Sequence, residues 1–351
     1  MRAATRSPSS PSARRRSRSA PLSPATADAC ESARQRRRAG YVVFLVGAAI
    51  GSALTLGAAK TFTLSAPPPR LSPNQLNPLS LTELLATHPE QLQKVDLAAM
   101  NLACAFRLPG ADELLAEAKL AILDEWTARV KRETERHLYR LNDPRYSAHY
   151  KNSEALYRME MLCQVLQEDC GVRYNLDRVR DVRFSDARDL FIHGMIGDSN
   201  GGTCVSMPVL YTAVARRLGY PVHLVRAKGH IFCRWDGRGE RWNIEATGSG
   251  GMDSFPDKHY MTWPEAITQD EVKRGEYLKT LDPSEEFAVF LAARGHCLQD
   301  NGRFAEAHVA YAYAHKLDPT ARDYLGFLLE SVKKDLKGAH SDEARPTTRP
   351  H

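Results

Sequence analysis

Apolar side chains recur at three- and four-residue intervals through the first half of the chain, and the spacing predicts helices at about 96–106, 112–141 and 153–168. The second of these carries Leu115, Ile122, Trp126 and Val130 on one broad apolar face, and Pro144 lies beyond its end. Ser80-Leu-Thr-Glu83 ahead of them has the spacing of a capping box and predicts a short helix of its own. The period then holds through Val209, Leu210, Ala213, Val214 and Leu218 before Gly219 and Pro221, so a helix is expected from about Cys204 to Leu218. After it the pattern changes to strand-like runs, PVHLVR, HIFCRW and RWNIEAT, with a tight turn at Asp236-Gly-Arg-Gly239.

The change of period sets up a site. Cys204 follows a Gly-Gly pair at the expected start of its helix, where unpaired N–H groups and the helix dipole favour a thiolate over a thiol. If the four-residue turn closes on Trp235 and Glu240, His230 lies directly opposite Glu245. Alternation then sorts His230, Phe232, Arg234, Arg241, Asn243 and Glu245 onto a polar face, and Ile231, Cys233, Trp235, Trp242, Ile244 and Ala246 onto an apolar one. A thiol at a helix start with a histidine and a carboxylate facing each other on neighbouring strands is what nucleophilic acyl chemistry requires: thiolate attack, proton shuttling by imidazole, and a carboxylate fixing the tautomer.

Gly202-Thr-Cys204, Gly229-His230 and Glu245-Ala-Thr247, in that order, resemble the transglutaminase-like (papain-like) superfamily, in particular its bacterial members with a helical domain ahead of the core. The resemblance covers about 95–264. It implies an α+β fold in which the cysteine-bearing helix packs on an antiparallel sheet, and catalytic roles for Cys204, His230 and Glu245 with neither cofactor nor metal. The superfamily's usual third residue is Asp; Glu245 has a longer arm that can still reach Nδ1, and Asn243 on the same face is the fallback orienter. Asn200, in the Gly-rich turn ahead of the nucleophile, is expected either to join the Cys204 N–H as an oxyanion donor or to serve the turn. Tyr260 and Trp263 are expected in a loop bordering the cleft, and His193 is read as a structural histidine.

Composition adds the ends of the chain. The net charge is +6, yet residues 1–38 hold ten Arg against Asp28 and Glu31, a local +8 that leaves −2 for the rest, so no nucleic-acid surface is expected on the folded part. That tail is rich in Arg, Ser and Pro and reads as disordered. Residues 39–59 contain no charged side chain and follow an Arg cluster, which predicts a single-pass membrane helix with a cytoplasmic N-terminus and the remainder on the far side. A Pro-rich linker at 60–79 follows. Then come a helical domain at 80–182, the core at 183–265, a helical region at 266–337 and a disordered tail from 338. Within 284–319, Gly295, Gly302, Ala307, Tyr311, Ala314 and Pro319 resemble one tetratricopeptide repeat, a unit that needs a neighbour to bury its face and is expected to lean on the core. Seven cysteines at irregular spacing, without a CxxC pair, speak against a zinc ribbon or a disulfide framework.

Two functions follow: a membrane-anchored cysteine hydrolase or acyltransferase acting on peptide or protein amide bonds, or an inactive module of the same fold that holds a protein partner through its cleft and C-terminal repeat.

Overall fold

The computed structural model describes residues 80–343 apart from Arg180, Ser199, Ala246 and 248–250. Helix α1 (Leu81–Ala86) carries the capping box, with Ser80 Oγ accepting the Glu83 N–H and the Glu83 carboxylate accepting the Ser80 N–H. Helix α2 (Leu97–Ala105) is buried along its whole length, so an apolar segment with no polar face becomes the axis of the helical half. Around it, α4 (Glu154–Gln164) packs on α3 (Ala116–Arg136) and α5 (Met207–Arg217), which themselves pack on α2. Arg217 fixes α5 to α2 with two 2.9 Å contacts to Asp96, the residue that caps α2. Helix α5 ends as its sequence suggested: Gly219 at φ +73° lets its own N–H and that of Tyr220 bond back to Arg216 and Ala215.

The sheet is an antiparallel meander of β1 (Val222–Ala227), β2 (His230–Gly237) and β3 (Glu240–Ile244). Its pairing corrects the expected hairpin. Gly237 pairs with Glu240 and Trp235 with Trp242, so the turn is the two residues Arg238 and Gly239, both at positive φ (55° and 78°), as a tight type I′ turn demands. The register therefore differs by two from the one expected. An even slip keeps every side chain on its face, so His230 and Glu245 remain on one side, as diagonal and not direct neighbours.

One face of the sheet, with Leu224, Cys233, Trp235 and Ile244, lies in a core that extends from Leu84 to Tyr324. The other was expected to be polar, and it is buried as well. Val225, Ala227 and Phe232 pack there with Tyr260, Ile267, Tyr277 and Leu278, and the polar residues between them bond to one another. The segment that covers this face then runs beside β1, where Leu278 and Leu281 donate to the carbonyls of Arg226 and Leu224.

Helices α6 (Pro283–Asp300), α7 (Phe304–Leu317) and α8 (Arg322–Glu343) complete the fold. Buried Glu286 of α6 receives both arms of Arg216 at 2.7 Å and the Leu224 N–H at 3.1 Å, tying α6 to α5 and β1. Gly295 lies so close to the Tyr311 ring that a Cβ there would meet it at 2.5 Å, which explains the small-aromatic pairing of α6 and α7. Helix α8 continues to Glu343, well into the stretch expected to be disordered.

The membrane expectation is corrected. Among the described residues no helix is long and apolar enough to cross a membrane. The 39–59 run that prompted the expectation lies outside the described residues, as do the basic tail, the Pro-rich linker and residues 344–351.

Candidate active site

Cys204 sits in the turn that leads into α5, three residues before the first helical residue, and not on the helix itself. Each residue of Gly201-Gly-Thr-Cys has a reason to be there. Gly201 adopts φ +82°, a conformation costly for any side chain. At Gly202 a Cβ would lie 2.3 Å from Met207 Cγ and 2.4 Å from Met195 Sδ. Thr203 Oγ1 donates to the Asp189 carbonyl at 2.6 Å and accepts the Val205 N–H at 3.1 Å, while Ser206 Oγ accepts the Thr203 N–H at 3.0 Å. The turn is thus pinned on both sides of the cysteine, and the thiol is left half-buried.

His230 opens β2 just after Gly229, at φ +73°, and Glu245 follows the last residue of β3. His230 Nε2 and Glu245 Oε2 are 2.7 Å apart. The carboxylate therefore engages Nε2, where Nδ1 was expected, and leaves Nδ1 as the nitrogen for Cys204, which is near enough to the imidazole to help raise its pKa. Thr247 fixes the other carboxylate oxygen, with its hydroxyl at 2.5 Å and its N–H at 3.3 Å from Oε1. Tyr260 adds a contact of 3.4 Å to Oε2 from a fully buried position, its ring stacked on Phe232. Trp263 meets the His230 ring edge-on at 4.8 Å and remains 40% exposed, so of the two aromatics it is Trp263 that borders open space.

Burial alone lowers the pKa of His230, but its interactions with Cys204 and Glu245 outweigh that effect and raise it to about 9. Burial acts on Glu245 in the opposite sense to His230's hydrogen bond and charge, which prevail and hold the carboxylate below its ordinary value. Of the other described cysteines, Cys170 is half-buried like Cys204, and burial raises its pKa. Cys104, Cys163, Cys233 and Cys297 are buried, and burial pushes their thiols up, those of Cys104, Cys233 and Cys297 to about 12.

Two expected auxiliaries are occupied elsewhere. Asn200 spends its amide hydrogens on Asp189 Oδ1 at 2.9 Å and the Gly201 carbonyl at 3.1 Å, which is turn duty. Asn243 lies opposite Arg234, accepts from its Nε at 2.7 Å and donates to Asp257 and the Phe255 carbonyl, so it does not touch His230. His193 is buried with Nε2 3.1 Å from the Gly110 carbonyl. Sequence reasoning did not single out Asp189, the fully buried carboxylate beneath the turn that also pairs with Arg178 and Arg183. Nor did it find Tyr174, whose parallel bridge to Gly202 sets it beside the cysteine-bearing turn. Thr247 had a signal, since it stands two residues after the acid in the motif. Among the described residues no group of three or more His, Cys, Asp or Glu is placed to hold a metal ion.

The helices and the three-stranded antiparallel sheet make an α+β fold, with a half-buried cysteine in the turn before a packed helix and a bonded histidine and acid at the ends of adjacent strands. Residues 117–285 match the family described as the transglutaminase-like superfamily, and this part of the chain is a domain of that superfamily. The match begins in α3 and ends at the start of α6, so α1, α2 and most of the C-terminal helices lie outside it. No curated protein and no solved structure matches the chain.

Proposed function

We propose that this domain is a cysteine-type amide hydrolase or acyltransferase, acting on peptide or protein amide bonds through Cys204, His230 and Glu245. The observation that supports it is that one imidazole carries a carboxylate on Nε2 at 2.7 Å and has a half-buried cysteine near enough to help raise its pKa. A histidine kept protonated towards pH 9 beside a cysteine is one half of a thiolate–imidazolium pair. Sγ of Cys204 attacks the amide carbon, and the carbonyl π pair moves to oxygen. Collapse of that intermediate re-forms C=O and breaks C–N, and the imidazolium of His230 gives its proton to the leaving amine. The thioester is then opened by water or by a second amine, with neutral His230 taking the proton and restoring the starting state. Throughout, Glu245 holds the Nε2 proton and orients the ring, and Thr247 orients Glu245.

The test is capture of the thioester. The full chain is incubated with glutamine-containing peptides and with p-nitrophenyl acetate as a generic acyl donor, and intact mass is read before and after hydroxylamine. A hydroxylamine-labile acyl group on Cys204, absent from Cys204→Ala, is expected. Absence of any such adduct at Cys204 with every donor would favour the inactive module instead.

A further inference from the structure

A carboxylate that is to hold an imidazole in one orientation must itself be held. Glu245 turns about three side-chain bonds, and a glutamate gives up more rotamer freedom on burial than most residues. Its two oxygens are fixed separately. Oε1 accepts the Thr247 hydroxyl at 2.5 Å and the Thr247 N–H at 3.3 Å. Oε2 meets His230 Nε2 at 2.7 Å and accepts the Tyr260 hydroxyl at 3.4 Å. The main chain is fixed as well, because Glu245 and Asp253 exchange N–H···O bonds of 2.8 Å in both directions.

Packing aims Tyr260 at this oxygen. It ends a short helical turn (Asp257–Tyr260) and has no exposed surface. Its ring lies flat on Phe232, with centroids 3.9 Å and planes 9° apart, and runs nearly parallel to the His230 ring at 6.2 Å and 13°. His259 meets it edge-on at 5.1 Å. Phe232 and His230 are alternate residues of β2, so one face of one strand seats both the imidazole and the ring whose hydroxyl reaches the imidazole's partner. A buried phenol needs an acceptor, and among the described residues the acceptor for Tyr260 is Glu245 Oε2.

We propose that Tyr260 is a positioning residue, one that locks Glu245 against His230 and fits the site to a glutamate at this position. The phenol and the imidazole converge on one oxygen while Thr247 holds the other, so the carboxylate neither rotates nor swings away from the ring it orients. The length of glutamate is part of the fit. Aspartate is shorter by one carbon–carbon bond, about 1.5 Å, and with the main chain fixed on Asp253 it cannot reach Thr247, Tyr260 and His230 together. A phenol on Oε2 also takes up part of that oxygen's negative charge, which moderates its pull on the Nε2 proton. The role in acylation rests on the acyl-transfer reading of Cys204; the contact with Glu245 does not.

Four full-length chains test it: the parent, Tyr260→Phe, Glu245→Asp and the double variant. Phenylalanine keeps the stack on Phe232 and removes only the hydroxyl. Two readouts are taken. One is the downfield proton resonance of His230 Nε2–H, assigned by its loss in His230→Ala; the other is the rate at which p-nitrophenyl acetate acylates Cys204, read by peptide mass. In Tyr260→Phe the resonance is expected to move further downfield, because Oε2 is left to His230 alone, and acylation to slow by about tenfold, the scale of one hydrogen bond to a charged group. Glu245→Asp is expected to slow acylation at least as much, and the double variant to be no slower than Glu245→Asp, since the aspartate has already lost the phenol. Multiplied losses in the double variant, or an unmoved resonance in Tyr260→Phe, would overturn the proposal. A lower melting temperature with rate and resonance as in the parent would overturn it too, leaving Tyr260 a core residue. If the parent chain is never acylated at Cys204, the acyl-transfer reading falls, while the resonance still decides whether Tyr260 holds Glu245.

Discussion

His230 and Arg234 stand on the same face of β2, four residues apart, and both are buried charges that reach across to β3 or just beyond it. Arg234 is closed. Its Nε meets Asn243 Oδ1 at 2.7 Å, one terminal nitrogen meets the Leu278 carbonyl at 2.9 Å, and the other meets Asp257 at 2.6 Å, all from a side chain with no exposed surface. His230 satisfies one nitrogen in the same manner, on Glu245, but its ring also meets a partly exposed tryptophan edge-on and lies near a half-buried cysteine. A buried polar network that closes on itself specifies packing, whereas one that ends on a nucleophile at the surface can pass a proton. The two therefore should respond oppositely to substitution.

The largest expected contrast is at the open end. Cys204→Ala lowers turnover of an acyl donor by on the order of 10⁶-fold, the scale seen when a nucleophile of a concerted triad is removed, and leaves the melting temperature nearly unchanged. A stability loss as large as that of an arginine variant would erase the distinction.

Glu245→Gln comes next, with turnover reduced by about 10⁴-fold as the imidazole loses its fixed tautomer. It also carries a pH signature. His230 has its pKa raised on folding, so its contribution to stability is complete below its ordinary value of 6.5 and is lost as pH rises through about 9. Glu245 has its pKa lowered, so its share is present above its ordinary value of 4.5 and fades on acidification. The gap in melting temperature between parent and Glu245→Gln is thus expected to be widest between pH 4.5 and 6.5 and to narrow by pH 9; a gap that widens towards pH 9 would contradict the pairing.

At the closed network the order reverses. Arg234→Met strands Asn243, the Leu278 carbonyl and a half-exposed Asp257, at a cost of about 3 kcal/mol in chemical denaturation. The folded fraction is expected to keep Cys204 labelling within about threefold, far from the loss that follows removal of a group from the reacting end. Smallest is Gly239→Ala, which forces a side chain to φ +78° with nothing nearby to clash, a cost of about 1 kcal/mol and no change in reactivity.

The sequence carried the helices well wherever period and punctuation agreed, as at Asp96 before α2 and Gly219 after α5. It misjudged the hairpin because Asp236-Gly-Arg-Gly239 contains two plausible turns, and an arginine at positive φ gives no advance notice of itself. Face survived that error through parity, which is why His230 and Glu245 were paired correctly and Asn243 was not: a shift of two hands Asn243 to Arg234. Alternation also reads the second face as polar, and internal pairing of those polar groups lets it be buried. The start of α5 was placed early because Thr203 and Ser206 build a turn of their own, with Pro208 in the first helical turn behind it. Tyr174 left no trace, since its link to Gly202 joins segments far apart in sequence with no shared period.

The most direct test of the shared imidazole is the rate of iodoacetamide labelling at Cys204 from pH 5 to 10, in the parent chain and in His230→Ala. The account expects labelling at neutral pH to fall by at least about tenfold in the variant, and the parent profile to change course near pH 9, where His230 gives up its proton. Identical rates and identical pH profiles in the two proteins would contradict it.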